Sequence, residues 1–173
     1  FVNSHNTIKS ISLRYFNPVG AHESGLIGEL PIGVPDNLVP YITQTAAGIR
    51  TKLSVFGNNY NTKDGTAVRD YIHIMDLASA HLKAISRLLS KKSKRLYEFF
   101  NIGTGTGFSV LDVINSFEKV NSLKLNYSFK DRREGDIEEI YSDVKKSKNI
   151  LECESKKTLD EMMSSAWKWQ KNL

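Results

Sequence analysis

The sequence has 173 residues, 40% of them hydrophobic and 25% charged, with Lys plus Arg at 24 against Asp plus Glu at 19 for a net charge of +5. That length and balance suit one globular unit with a sizeable core, and the mild positive excess favours anionic ligands without implying a nucleic-acid protein. No apolar run reaches the roughly 18 to 20 residues of a membrane span, and Cys153 as the single cysteine excludes an internal disulfide or a thiolate zinc cage.

The start, Phe1-Val2-Asn3-Ser4-His5, has no basic segment leading into an apolar stretch and no initiator Met. No secretion signal is expected there, and the chain reads as a piece of something longer. In Ser10 to Phe16, Ile11, Leu13 and Tyr15 alternate with polar or opposite-facing residues, which predicts a strand. Asn17-Pro18-Val19-Gly20 is expected to end it. A Gly- and Pro-rich loop through Gly25, Gly28, Pro31, Gly33 and Pro35 follows, long enough to carry function. Asp36 and Asn37 are candidate caps for a helix with Leu38, Ile42 and Ala46 on its apolar side, Pro40 in its first turn and Gly48 at its end.

Leu53 to Phe56 reads as a short strand, and polar loop residues run on to Val68-Arg69-Asp70-Tyr71-Ile72. From Asp76 the positions Leu77, Ala78, His81, Ile85, Leu88 and Leu89 recur at helical spacing, and the basic stretch Ser90 to Arg95 is expected to be a solvated connection. Leu96 to Ile102 is the next strand. Ser109 with Asp112 resembles a capping box opening a helix with Val110, Val113, Ile114, Phe117 and Val120 inward. Leu123, Leu125, Tyr127 and Phe129 alternate as a strand, Asp143 to Leu151 suggests a short helix, and Thr158 with Glu161 is a second capping box ahead of a C-terminal helix. Strands and helices alternate, so the predicted class is α/β.

Two motifs imitate cofactor chemistry. Gly103-Thr104-Gly105-Thr106-Gly107 stands between a strand and a helix, with Asp131 farther on. A dinucleotide loop, however, needs glycine or alanine where Phe108 stands, so a structural turn is expected. Tyr141 and Lys145 have the spacing of a proton relay on one helix face, but Ser142 and Asp143 read as helix-start residues. Arg69 and Arg133 could fork onto a diphosphate. Sequence physics alone favours surface ion pairs instead: Arg69 with Asp70 or Asp76, and Arg133 with Glu134 or Asp136. Asn17 and Asn37 read equally well as a turn former and a cap. His5, His22, His73 and His81 show no metal-ligand spacing, so no metal site is expected.

Taken together and in order, these segments resemble the UDP-glucose 4-epimerases of the extended short-chain dehydrogenase family. The resemblance is carried by Leu13-Arg14-Tyr15-Phe16-Asn17-Pro18-Val19-Gly20-Ala21-His22, Pro35-Asp36-Asn37-Leu38-Val39-Pro40-Tyr41-Ile42 and Phe56-Gly57-Asn58-Asn59-Tyr60. Asp64-Gly65-Thr66, Val68-Arg69-Asp70-Tyr71-Ile72-His73, Asn101-Ile102-Gly103-Thr104-Gly105 and Ser109-Val110-Leu111-Asp112-Val113 extend it. Arg132-Arg133-Glu134-Gly135-Asp136 and Thr158-Leu159-Asp160-Glu161-Met162, with Trp167 and Trp169, complete it.

The resemblance implies that residues 1–173 are the C-terminal, UDP-sugar-binding portion of such an α/β enzyme, with the NAD-binding Rossmann half largely absent. The catalytic Ser or Thr and the Tyr-x-x-x-Lys pair of the family precede this stretch, so no catalytic residue is assigned in this chain, and the chain alone is expected to be inactive. By resemblance, Asn17 bonds the sugar or diphosphate, Phe16 lies beside the nicotinamide of NAD, and Asn37 with the Leu38 amide meets the phosphoryl groups. Ser54, Val55 and Phe56 offer backbone to uracil, Arg69 and Arg133 clamp the diphosphate, and Asp136 accepts from ribose. Ile140 stands where the family limits the sugar's 2-substituent and is neither the large Tyr nor the small residue found there, which leaves N-acetylated sugars open. The implied reaction is interconversion of UDP-glucose and UDP-galactose. The implied setting is cytoplasmic, as a homodimer once joined to the N-terminal half, with neither nucleic acid nor membrane as partner. Two rivals stand beside this reading: another nucleotide-sugar epimerase, dehydratase or decarboxylase, and a basic module that binds nucleic acid through Lys91, Lys92, Lys94, Arg95, Lys145, Lys146 and Lys148.

Overall fold

The computed structural model describes residues 8–93 and 95–173. The expectations for Phe1 to His5 and for Lys94 lie outside them. The chain runs β1 (Ser10–Tyr15), β2 (Asn17–Val19), α1 (Leu38–Ala46), β3 (Leu53–Phe56), β4 (Val68–Arg69), β5 (Tyr71–His73) and α2 (Ile74–Leu89). It continues with β6 (Tyr97–Ile102), β7 (Phe108–Ser109), α3 (Val110–Asn121), β8 (Tyr127–Lys130), β9 (Glu139–Ile140), α4 (Lys145–Ile150) and α5 (Leu159–Gln170). The α/β alternation is as expected, but the strands form small parallel pairs, β1 with β6, β2 with β5 and β3 with β8, beside a three-stranded set ordered β7-β4-β9.

Two apolar clusters hold these elements. Ile42, Leu53, Val55, Val113, Ile114, Phe117, Met162 and Met163 belong to one, which packs α1, α3 and α5 around β3. The other joins β5, α2 and β6 through Ile72, Leu77, Ala80, Ala84, Phe100 and Ile102, with Ile11 and Leu13 of β1 packed against it. Both capping boxes form as expected. Ser109 Oγ accepts from the Asp112 N–H at 2.9 Å while Asp112 returns the bond to the Ser109 N–H at 3.0 Å, and Thr158 and Glu161 do the same at α5.

Several expectations are corrected. Asn17-Pro18-Val19 does not simply end β1; it forms β2, because Asn17 to Val19 lie in register with Tyr71 to His73. Helix α2 turns its small side inward: Leu77, Ala80 and Ala84 are buried, whereas Ala78, Ile85 and Leu89 face out. Small residues permit close helix-on-sheet packing, and a hydrophobicity pattern does not measure closeness. His81 is not in the core either, since its Nε2 meets the Tyr15 hydroxyl at 2.7 Å. Tyr141 precedes α4 and shares no helix with Lys145, so the relay geometry is absent. Two of the three basic residues of α4 are engaged locally: Lys146 donates to the Phe99 carbonyl at 2.6 Å and Lys148 pairs with Glu154 at 2.7 Å.

Candidate functional site

Asp70 explains the glycine loop. Its carboxylate is fully buried and accepts from the Thr104 N–H at 2.8 Å, the Gly105 N–H at 3.0 Å and the Ser142 N–H at 3.1 Å, with the Thr104 and Ser142 hydroxyls adding two more bonds. A Cβ on Gly103 would lie 2.4 Å from Asp70 Oδ2, so only glycine lets the loop close on this internal anion. The backbone donors that a dinucleotide loop would aim at a phosphate are consumed here by a side chain of the same protein.

Because successive residues of an extended segment point to opposite sides, burying Asp70 turns Arg69 and Tyr71 the other way. Both line a cavity of about 470 Å³. Arg69 is held by its own neighbour's carbonyl, Nη1 to Val68 O at 2.8 Å, and by an ion pair from Nη2 to Asp136 Oδ1. Neither Asp70 nor Asp76 is its partner. Asp76 is occupied instead by the N–H groups of Lys156 and Lys157, each at 2.9 Å.

Arg133 reaches the same cavity from the segment between β8 and β9, with its guanidinium 4.0 Å over the Phe56 ring. Among the described residues it forms no ion pair, so the expected pairing with Glu134 or Asp136 is replaced by stacking. The fork is thereby held flat while its charge stays uncompensated by a carboxylate.

Helix α1 supplies another wall. Asn37 occupies the N-cap position with extended backbone, but its side chain makes no cap bond; Nδ2 donates to Glu29 Oε1 at 3.0 Å. The expected capping role is therefore not taken. The first N–H groups of α1 are left without a side-chain cap next to Asn37 and Leu38, which both line the cavity. Ser54, Val55 and Phe56 line it from β3, whose ladder runs to β8, and Asn17 lines it from β2.

Nine of the expected ligand residues thus meet at one opening: Asn17, Asn37, Leu38, Ser54, Val55, Phe56, Arg69, Arg133 and Asp136. Two do not. Phe16, between β1 and β2, is half-buried and donates its N–H to the Ile102 carbonyl at 3.1 Å, and Ile140 in β9 is paired in register with Arg69. Sequence reasoning missed Tyr41, Tyr71 and Val110, which also line the cavity. The signal for Tyr71 was present, since it stands two residues from Arg69 on an extended segment. Burial pushes its hydroxyl up to about 12, with Arg69 opposing and Asp136 reinforcing the shift, so at neutral pH it is a proton-bearing donor.

Two guanidinium groups, a carboxylate, a protonated phenol and an uncapped helix start make a cavity suited to a phosphorylated, hydroxyl-bearing ligand. Among the described residues no group of three or more His, Cys, Asp or Glu side chains could hold a metal, and no helix is long and apolar enough to cross a membrane.

Residues 2–166 match the family model described as GDP-mannose 4,6 dehydratase. The chain is 55% identical over 159 residues to the UDP-glucose 4-epimerase of Pasteurella multocida, covering 92% of this chain and 46% of that protein. It is 52% identical over 158 residues to the UDP-glucose 4-epimerase of Bacillus subtilis, covering 91% and 46%. The crystal structure of a UDP-glucose 4-epimerase from Stenotrophomonas maltophila with bound NAD and formylated UDP-arabinopyranose superposes with a TM-score of 0.94 at 43% identity, over 99% of this chain and 50% of that one. The enzyme from Bifidobacterium longum in complex with NAD+ and UDP gives 0.92 at 43% identity, over 98% and 50%. The chain spans about half the length of the curated relatives it matches.

Proposed function

The chain belongs to the GDP-mannose 4,6 dehydratase family, and from that premise we propose that it is the UDP-sugar-holding, C-terminal part of an NAD-dependent UDP-glucose 4-epimerase. The observation that carries the reading is the meeting of Arg69, Arg133 and Asp136 with the start of α1 and the strand β3 around one cavity. Arg69 and Arg133 grip the diphosphate of UDP-glucose or UDP-galactose, Asn37 and the Leu38 amide add donors to the phosphoryl groups, and Asp136 accepts from ribose. Ser54, Val55 and Phe56 present backbone to uracil. Asn17 bonds the sugar or diphosphate, Phe16 lies toward the nicotinamide, and Ile140 borders the sugar's 2-position. The complete protein acts in the cytoplasm as a homodimer.

The strand–glycine–helix loop does not fit the pyrophosphate of NAD, because its N–H groups enclose Asp70. In this reading NAD is held mainly by residues outside this chain, with Phe16 the contact from within it, and the chain alone turns nothing over. Its contribution is positional. A sugar that must present both faces of C4 needs few directional contacts, so the nucleotide has to be gripped firmly at a distance from the reacting carbon.

In the complete protein, Arg133→Ala is expected to weaken UDP binding by about 1.5–3 kcal/mol, the range for hydrogen bonds to charged groups, measured by isothermal titration. Unchanged affinity would remove the clamp. Following UDP-glucose to UDP-galactose in the presence of NAD tests the reaction: the complete protein forms the C4 epimer, whereas loss of water from UDP-glucose identifies a dehydratase, and loss of carbon dioxide from UDP-glucuronic acid offered in its place identifies a decarboxylase. Turnover by the 173-residue chain alone would contradict the division of labour.

A further inference from the structure

Two arginines adjacent in sequence take opposite directions in the fold. Arg133 lines the cavity, while Arg132 does not. The Arg132 guanidinium lies 4.0 Å over the Tyr60 ring, donates from Nε to Asn59 Oδ1 at 2.7 Å, and donates from Nη2 to the Asn59 carbonyl. What it grips is tightly built. Tyr60 is 5% exposed, and its N–H reaches the Gly65 carbonyl at 2.9 Å. Its ring lies so close to Gly57, at φ +79, that a Cβ there would come within 2.3 Å. The same turn extends the β3–β8 ladder, with the Gly57 N–H bonded to the Lys130 carbonyl at 2.9 Å.

The segment between β8 and β9 carries both Arg133 and Asp136. Its far end is fixed by the pairing of β9 with β4 and by the Val68 N–H on the Glu138 carbonyl at 2.9 Å. In between, the Asp136 N–H meets the Arg133 carbonyl at 3.2 Å in a turn around Gly135. At the near end the ladder stops at Lys130, and Arg132 is the tether that follows.

We propose that Arg132 is a positioning residue. By clamping its planar fork on Asn59 and Tyr60, it fixes the entry to the segment so that Arg133 stays flat on Phe56 and meets a nucleoside diphosphate already oriented. Arg132 does not line the cavity and acts through Arg133, whereas Asp136, farther along the segment, is held by its own ion pair to Arg69. The inference rests on the reading of the cavity as a UDP-sugar site. Its chemistry suits a guanidinium: one planar group lies flat over a ring while its edge donates to two acceptors in a fixed fork, a geometry that a compact ammonium has no plane to supply. A side chain ordered before binding loses less freedom on binding, so the benefit falls on affinity rather than on the chemical step.

The test uses the complete protein, with isothermal titration of UDP, steady-state epimerisation of UDP-glucose and thermal melting. Arg132→Ala is expected to weaken UDP binding and raise KM by about five- to twentyfold, with kcat within about twofold. Arg132→Lys is expected to remain weakened. In the Arg133→Ala background, Arg132→Ala is expected to cost nothing further, because an effect routed through Arg133 vanishes with it. Arg132 is on the surface, so the variant keeps its core. Parental UDP affinity in Arg132→Ala, with or without a lower melting temperature, would overturn the assignment. Full rescue by Lys would do so too, as would an undiminished cost in the Arg133→Ala background. A parent protein that binds no UDP refutes the sugar-nucleotide reading and this inference with it; a parent that binds UDP with Arg132→Ala unaltered refutes this inference alone.

Discussion

Asp70 illustrates how a charged residue beside a binding site can serve the fold rather than the ligand. Its carboxylate is fully buried, and its bonds come from N–H and hydroxyl groups of Thr104, Gly105 and Ser142. Asp70→Asn keeps the shape but turns one acceptor oxygen into a donor that, whichever way the amide is turned, faces a fixed N–H: that of Thr104 on one side, or those of Gly105 and Ser142 on the other. Leaving such buried donors unpaired costs about 1–3 kcal/mol, so the complete protein is expected to melt several degrees lower by calorimetry. A variant melting within a degree of the parent would show that the loop closes without this anion. In the sequence Asp70 offered itself as a neighbour for Arg69, because reading along a chain ranks adjacent charges as partners. The fold pairs Arg69 with Asp136 across 67 positions instead, and only the burial of Asp70 explains why the nearer carboxylate is out of reach.

At the scale of elements, what the sequence reveals depends on how local the cause is. The capping boxes at Ser109 and Thr158 were readable because each is complete within four residues. Strands β4, β7 and β9 have two residues each, too few to show a period, yet they set the register that places Arg69. The inward side of α2 was misread because Ala80 and Ala84 are buried for closeness rather than for hydrophobicity. The Thr158 box carries a pH signature. The Lys157 ammonium, then the Thr158 N–H and hydroxyl, hold the Glu161 carboxyl down at about 2 from its ordinary 4.5. A carboxyl lowered by folding stabilises the folded state above its ordinary value and loses that contribution as pH falls toward the lowered one. Glu161→Gln keeps an acceptor for the box but not the charge. The parent is therefore expected to exceed Glu161→Gln in urea stability by a margin that is steady above about pH 5, shrinks as the pH falls, and is gone below about pH 2. The margin is small because the Lys157–Glu161 pair is solvated. A margin independent of pH would mean that the charge contributes nothing.

Across the whole molecule, the two apolar clusters divide support of the cavity unequally. Leu53, Val55 and Tyr71 belong to the cluster of α1, α3 and α5 and also line the cavity. No member of the β5–α2–β6 cluster does so. Phe117 and Phe100 are both fully buried, one in each cluster, so truncation should cost similar stability and different function. Phe117 packs edge-on against Trp167 of α5 with ring centroids 5.8 Å apart. Removing it lets α3 and α5 shift beneath β3 and the start of α1. Phe117→Ala and Phe100→Ala are each expected to cost about 3–5 kcal/mol, the range for a buried phenylalanine truncation. In the complete protein, at a temperature where both variants remain folded, only Phe117→Ala is expected to lose UDP affinity by titration. Equal losses of affinity would mean that the two clusters behave as one core, and that the cavity depends on the entire chain rather than on the part that lines it. Conserved affinity in both would mean that Arg69, Arg133 and the start of α1 are held by their polar contacts alone.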